Sequence, residues 1–188
     1  MGLDMYLSKK TYVKRWEHQS DETKFEVTVK KGGVTYPSIK SERVSYITEE
    51  IMYWRKANQI HGWFVNNCHE MTQDVLYSVH YEQLKELYDT CKNVLDILTK
   101  SPKKKVEVVA GWKNGEEYTE EIEVSDLSKA DEEYIMDLLP PTQGFFFGSY
   151  EIGNWYKEQI EETVKMLEEE INSGTDEYGS EYEYYASW

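Results

Sequence analysis

The stretch Thr48–Asn67, TEEIMYWRKANQIHGWFVNN, constrains this chain more than any other. It gathers two of the six tryptophans, an Arg-Lys pair, a histidine and several asparagines within about five helical turns. Thr48 suits an N-cap, because its hydroxyl can accept from a free amide of the first turn, and Glu49 and Glu50 would sit at the positive end of the helix dipole. Ile47, Trp54, Ala57, Ile60 and Phe64 recur at helical steps as one apolar stripe. Trp54, Asn58, His61 and Val65 form a row beside it, so polar groups border the buried face. The pattern predicts one helix over 48–67. Asn58 and His61 then have two readings. In the first they hydrogen-bond to a neighbouring loop and lock the core, since buried polar groups are normally paired. In the second Arg55, Asn58 and His61 line a small pocket of an enzyme or ligand-binding protein, although they match no named catalytic constellation.

The length of 188 residues suits one domain, enough to bury roughly 70% of the unfolded surface. Hydrophobic content is only 39%, but 16 Tyr and 6 Trp allow a core built largely of rings. No apolar run approaches the ~20 residues of a membrane span, and MGLDMYLSKK lacks the layout of a signal peptide. Two cysteines, Cys68 and Cys91, make no disulfide framework, which fits a reduced cytoplasmic protein.

Residues 3–7 alternate weakly and predict an edge strand. Lys24–Lys30 alternates cleanly and is followed by Gly32-Gly33 and Val34–Tyr36, a predicted β-hairpin. Asp74–Val79 reads as a short strand, and Tyr81–Lys100 as an amphipathic helix that Pro102 stops. Lys105–Trp112 and Glu117–Val124 flank Asn114-Gly115, a strong hairpin signal. Ser125 or Asp126 would cap a short helix through Leu139. Gly144–Tyr150, GFFFGSY, is either a buried strand or a loop laid across the core. A last helix runs from about Asn154 to Ile171, with Gly174 as its stop. The expected class is α+β, a single compact domain over 1–174 with three main helices and two antiparallel β-hairpins. An acidic, tyrosine-rich tail follows over 175–188, for which disorder stands beside docking on its own fold or on a partner.

Charge is segregated along the chain. Residues 1–112 carry 17 Lys/Arg against 15 Asp/Glu, whereas residues 113–188 carry 4 against 21. Such a C-terminal part repels nucleic acid and membranes and attracts basic proteins. Three carboxylate sets carry that excess. Glu116, Glu117, Glu120, Glu121 and Glu123 lie in the hairpin. Glu158, Glu161, Glu162, Glu168 and Glu169 lie off the apolar stripe of the last helix. The tail adds Asp176, Glu177, Glu181 and Glu183, interleaved with Tyr178, Tyr182, Tyr184, Tyr185 and Trp188 as candidate interface anchors.

Other chemistries find little support in the sequence. His61, Cys68, His69, Glu70 and His80 cluster within twenty residues but lack the paired spacings of zinc sites, so no metal or other cofactor is expected. Cys68 beside His69 has no third group to orient it as a nucleophile. Gly144–Ser149 has glycines and a serine but no lysine and three phenylalanines, which does not suit a phosphate cradle.

Three segments, MGLDMYL at the start, YWRKANQIHGWFV (Tyr53–Val65) and LLPPTQGFFFGS (Leu138–Ser149), together resemble a group of small uncharacterised proteins found in phages, prophages and gut-type bacterial metagenomes. The similarity runs in the same order over most of the chain. It implies a mobile-element origin and brings no catalytic residues with it. Small acidic proteins of mobile elements include inhibitors of host nucleases, such as anti-CRISPR and anti-restriction proteins. The resulting expectation is a non-enzymatic inhibitor in the host bacterial cytoplasm. It would bind a basic, nucleic-acid-handling enzyme, a Cas9-type CRISPR effector above all, through the acidic, aromatic-rich C-terminal surface.

Overall fold

A computed structural model describes residues 2–72, 75–113, 116–144, 147–173 and 180–188, with the backbone alone for 108–113 and 116–117. Strand β1 (Asp4–Tyr12) is paired on both sides, by β4 (Tyr46–Arg55) and by β9 (Glu181–Ser187). Between β1 and β4 a long excursion holds the two-residue strands β2 (Lys30–Lys31) and β3 (Val34–Thr35) and two single-turn 3-10 helices, Asp21–Thr23 and Ser41–Arg43. After β4 come helix α1 (Asn58–Asn67), strands β5 (His69–Thr72) and β6 (Leu76–Val79), and helix α2 (Tyr81–Lys100). A hairpin of β7 (Lys103–Lys113) and β8 (Glu116–Ser125) follows, then α3 (Lys129–Leu138) and α4 (Asn154–Asn172). The main sheet is antiparallel throughout, in the order β4-β1-β9-β6-β5, so the α+β class holds.

Alternation in the strands decides which face is covered. Met5, Leu7, Trp54, Tyr182, Tyr184 and Ala186 point to one side and are buried against α1, α2 and α4. Leu84, Leu87, Cys91, Val94 and Leu98 of α2 and Tyr156, Ile160 and Leu167 of α4 complete that core. The opposite face carries Tyr53, Tyr6 and Tyr185 side by side on adjacent strands, with Tyr6 5.2 Å from Tyr53 and 6.1 Å from Tyr185 between ring centres. One face packed and one solvated is an arrangement antiparallel sheets permit.

Three expectations need correction. The helix expected over 48–67 is a strand followed by a shorter helix. Pairing with β1 imposes period two on 46–55, burying Trp54 and exposing Tyr53, and leaves Thr48 in mid-strand rather than at a cap. Ile47 and Val65, placed in the predicted apolar rows, are exposed. Lys56 makes the break with φ 58°, a left-handed conformation that costs a non-glycine residue about 1–2 kcal/mol. Its amide donates to the Leu3 carbonyl at 2.7 Å, which holds the corner in place. The strand expected over 3–7 is longer and interior, not an edge. The hairpin expected from Lys24 shrinks to two residue pairs around Gly32-Gly33, both at positive φ, and Lys24–Val29 forms no strand.

The other elements follow the sequence closely. In α2 the His80 amide donates to the Gln83 side chain, and the Ser101 hydroxyl donates to the Ile97 carbonyl just before Pro102. The cap of α3 is Ser128, which accepts from the Asp131 amide at 3.1 Å, beyond both expected candidates, Ser125 and Asp126. β7 and β8 pair as expected, while Asn114-Gly115 and the stop at Gly174 lie outside the described residues. The foot of that hairpin is tied to the body, because Ser125 and Lys103 donate to the Leu98 carbonyl and Asn154 donates to the Glu123 carbonyl. Among the described residues no helix is long and apolar enough to cross a membrane.

Candidate functional site

Three polar residues of the stretch 48–67, Asn58, Gln59 and His61, are buried in the core. Asn58, 1% exposed, donates through Nδ2 to the carbonyls of Phe147 (3.2 Å) and Ser149 (2.8 Å), and its Oδ1 accepts from the Thr142 amide at 3.1 Å. One side chain thereby fastens three points of the Pro140–Tyr150 segment, whose described residues form neither helix nor strand. This is the loop reading of GFFFGSY, though Phe145 and Phe146 lie outside the described residues. Gly144 and Gly148 permit the close path: a Cβ on Gly144 would meet the Phe147 ring at 2.5 Å, and Gly148 (φ 102°) lies against the Lys56 backbone.

His61 Nδ1 lies 2.8 Å from the Tyr184 hydroxyl, and the imidazole is edge-on to Phe147 and Trp188. Burial pushes the His61 pKa down to about 4, so the ring is neutral at pH 7. Beside it, Gln59 donates to Gln159, which donates to the Arg55 carbonyl, and Trp54 Nε1 donates to Thr163 Oγ1 at 2.8 Å. These bonds tie β4 and α1 to α4. Arg55 itself is exposed, on a groove of about 200 Å³ with Trp155, Glu158 and Glu162, so Arg55, Asn58 and His61 do not line one cavity.

The cysteines and the other histidines show no reactive grouping. Burial and the nearby Glu86 carboxylate push the Cys68 thiol up to about 12, and burial raises that of Cys91 further. Among the described residues no three His, Cys, Asp or Glu side chains are grouped to hold a metal.

The expected partner-binding residues divide sharply. Glu120, Glu121 and Glu123 are exposed on β8, with Glu121 paired to Lys105 at 2.7 Å. Glu116 and Glu117 open the same strand, and their side chains lie outside the described residues. Glu158, Glu161, Glu162, Glu168 and Glu169 all face out from α4. Lys157 approaches Glu161 at 3.2 Å, and Tyr88 donates to Glu168.

The described part of the tail docks on its own fold, one of the readings left open, and it is Tyr182 and Tyr184 as partner-binding residues that require a correction. Its residues 181–187 are the middle strand of the sheet, because Tyr182, Tyr184 and Ala186 supply a two-residue apolar alternation that the core needs. Tyr182 and Tyr184 are 4% and 0% exposed and therefore out of reach of a partner. Phe64 stacks on Tyr184 at 4.0 Å, and Tyr182 donates to Glu170, which also pairs with Lys9 at 2.8 Å. Glu183 is half-buried and paired with Lys10, while Glu181, Tyr185 and Trp188 are exposed. Asp176, Glu177 and Tyr178 lie outside the described residues.

Sequence reasoning missed a cleft of about 860 Å³ between the β7–β8 hairpin, α3 and residues 149–155. Trp155 lines both this cleft and the groove beside Arg55. Its signal was available: a tryptophan at the start of α4, next to Tyr156 and off the stripe that Tyr156 and Ile160 define. No protein-family model, curated protein or solved structure matches this chain.

Proposed function

We propose that this chain is a non-enzymatic binding protein of the host bacterial cytoplasm that inhibits a nucleic-acid-handling enzyme by occupying a basic surface. A Cas9-type defence nuclease is the partner class that the resemblance favours. The observation that carries the reading is the outward row of Glu158, Glu162 and Glu169 on α4, none with an ion pair among the described residues, beside exposed Glu120 and Glu123 on β8. Rows of unpaired carboxylates on rigid elements imitate the charge density of a duplex, which presents one charge per roughly 1.7 Å of axis. Trp155 and Tyr118, both exposed, give that field apolar anchors of the kind that concentrate binding energy. The strand Glu181–Ser187 contributes Glu181 and Tyr185 to the outside and Trp188 follows it there, so the contact surface is smaller than the whole tail.

The experiment is a binding and cleavage assay with a purified guide-loaded Cas9-type nuclease at about 0.05 M and 0.5 M salt. Capture at low salt, loss of DNA cleavage, and release at high salt are expected. Reversing Glu158, Glu162, Glu168 and Glu169 to lysine should abolish both effects while the protein remains folded. Full inhibition by that variant would sink the reading.

A further inference from the structure

The cleft between the hairpin and α3 differs from the open acidic faces in having apolar walls. Val106, Ile122 and Val124 of the hairpin face Met136 of α3 and Ile152 and Trp155 across it. Trp155 is 53% and Met136 43% exposed, large for rings and thioethers that line a concave surface. The polar side chains of the walls are already used: Ser125 donates to Leu98, Asn154 to Glu123, and Ser149 accepts from the Glu151 amide. A small polar ligand needs convergent free donors and acceptors, which this arrangement does not offer. What remains free is charge of one sign. Glu107, Glu132 and Glu151 line the cleft without an ion pair among the described residues, while its one lysine, Lys104, is held by Asp126 at 2.7 Å.

The geometry points to this cleft as the docking site for a basic, apolar-anchored segment of a partner protein, an arginine-rich stretch carrying a pair of large hydrophobic side chains. The inference rests on the acidic-surface reading above and names where the partner seats. Arginine fits such a lining well, because its methylene stem lies on apolar walls while its guanidinium reaches a carboxylate in a fork. Trp155 also offers a ring face to a cation. The anchor side chains would fill the space between Ile122 and Met136.

The test uses the whole protein and a fluorescein-labelled peptide RRWLRR, with EEWLEE and RRSSRR as comparisons, read by anisotropy at low salt. Saturable binding of RRWLRR, with RRSSRR at least about tenfold weaker and EEWLEE not bound, is expected. The triple variant Glu107→Lys, Glu132→Lys, Glu151→Lys should weaken binding at least about tenfold, as should Trp155→Ala and, independently, Met136→Ser. A triple reversal of equal charge on α2, Glu82→Lys, Glu86→Lys and Asp89→Lys, should stay within about twofold. Circular dichroism melts establish that each variant is folded. If RRWLRR binds but the cleft variants match the wild type, the cleft assignment falls and the acidic-surface reading stands. No saturable binding at all also overturns the cleft, whereas the acidic-surface reading is judged by its nuclease assay, whose substitutions lie outside the cleft. A dimer in sedimentation that Trp155→Ala breaks would make the occupant a second copy of this chain and overturn the proposal.

Discussion

His61 Nδ1 and the Tyr184 hydroxyl meet at 2.8 Å inside the core, joining the first long turn of α1 to the middle strand of the sheet. The bond unites a residue with two readings, core lock or pocket lining, with one expected to anchor a partner. Both belong to the folding machinery.

The depressed pKa of His61 makes stability depend on pH. Between about 6.5 and about 4 the unfolded chain binds a proton there that the folded chain does not, so this contribution is intact above 6.5 and is lost as pH falls toward 4. The loss is at most about 3 kcal/mol. Urea unfolding of the wild type and His61→Gln from pH 7.5 to 4.5 measures it: the variant should show the flatter slope across that window. Parallel curves would contradict the assignment.

Tyr184→Phe keeps the stack on Phe64 and removes only the hydroxyl, leaving His61 Nδ1 without that partner. A cost of about 1–3 kcal/mol follows from stranding a buried polar atom. Chemical denaturation gives the number directly, and a neutral result would mean the bond is dispensable.

Gly62 lies where α1 crosses the segment after Pro140. A Cβ there would stand 1.9 Å from Thr142 Oγ1 and 3.2 Å from its Cβ. Gly62→Ala should therefore destabilise by about 1–3 kcal/mol, despite gaining about 1 kcal/mol in helix propensity. Adding Thr142→Ala removes the nearest atom, and a double-mutant cycle should recover most of the loss. Additive losses would place the strain elsewhere.

Cys68 and Cys91 should resist alkylation. A thiol pushed up to about 12 is almost entirely protonated at pH 8, and the thiolate is the reactive form. Mass spectrometry after iodoacetamide treatment should find both cysteines largely unmodified in native buffer and modified in urea. Rapid native labelling of Cys68 would reopen a nucleophilic role.

What was legible in the sequence was local. Tyr81–Lys100 could be read because its period and Pro102 agree. The paired strands around Asn114-Gly115 could be read because turn chemistry and alternation agree. Thr48–Arg55 could not, since its carboxylates and spacing suit a helix and only pairing with β1, some forty residues earlier, makes it a strand. Glu181–Ser187 was legible only as a choice between disorder and docking, because the apolar alternation of Tyr182, Tyr184 and Ala186 matters only beside β1 and β6. The cleft was illegible because its walls come from three separate elements. Its anchor, Trp155, was visible as a residue but not as a place.

A strand drawn from the far end of the chain into the middle of the sheet also sets the order of events during synthesis. Lys10 and Glu183 are 173 residues apart, so at about 5–20 residues per second β1 emerges roughly 10–35 s before its central neighbour exists. Until then the apolar sides of β1 and β6 have no strand between them. Ribosome-stalled chains ending before residue 180 should be cleaved rapidly by protease, and chains in which Glu181–Ser187 has left the ribosome should resist it.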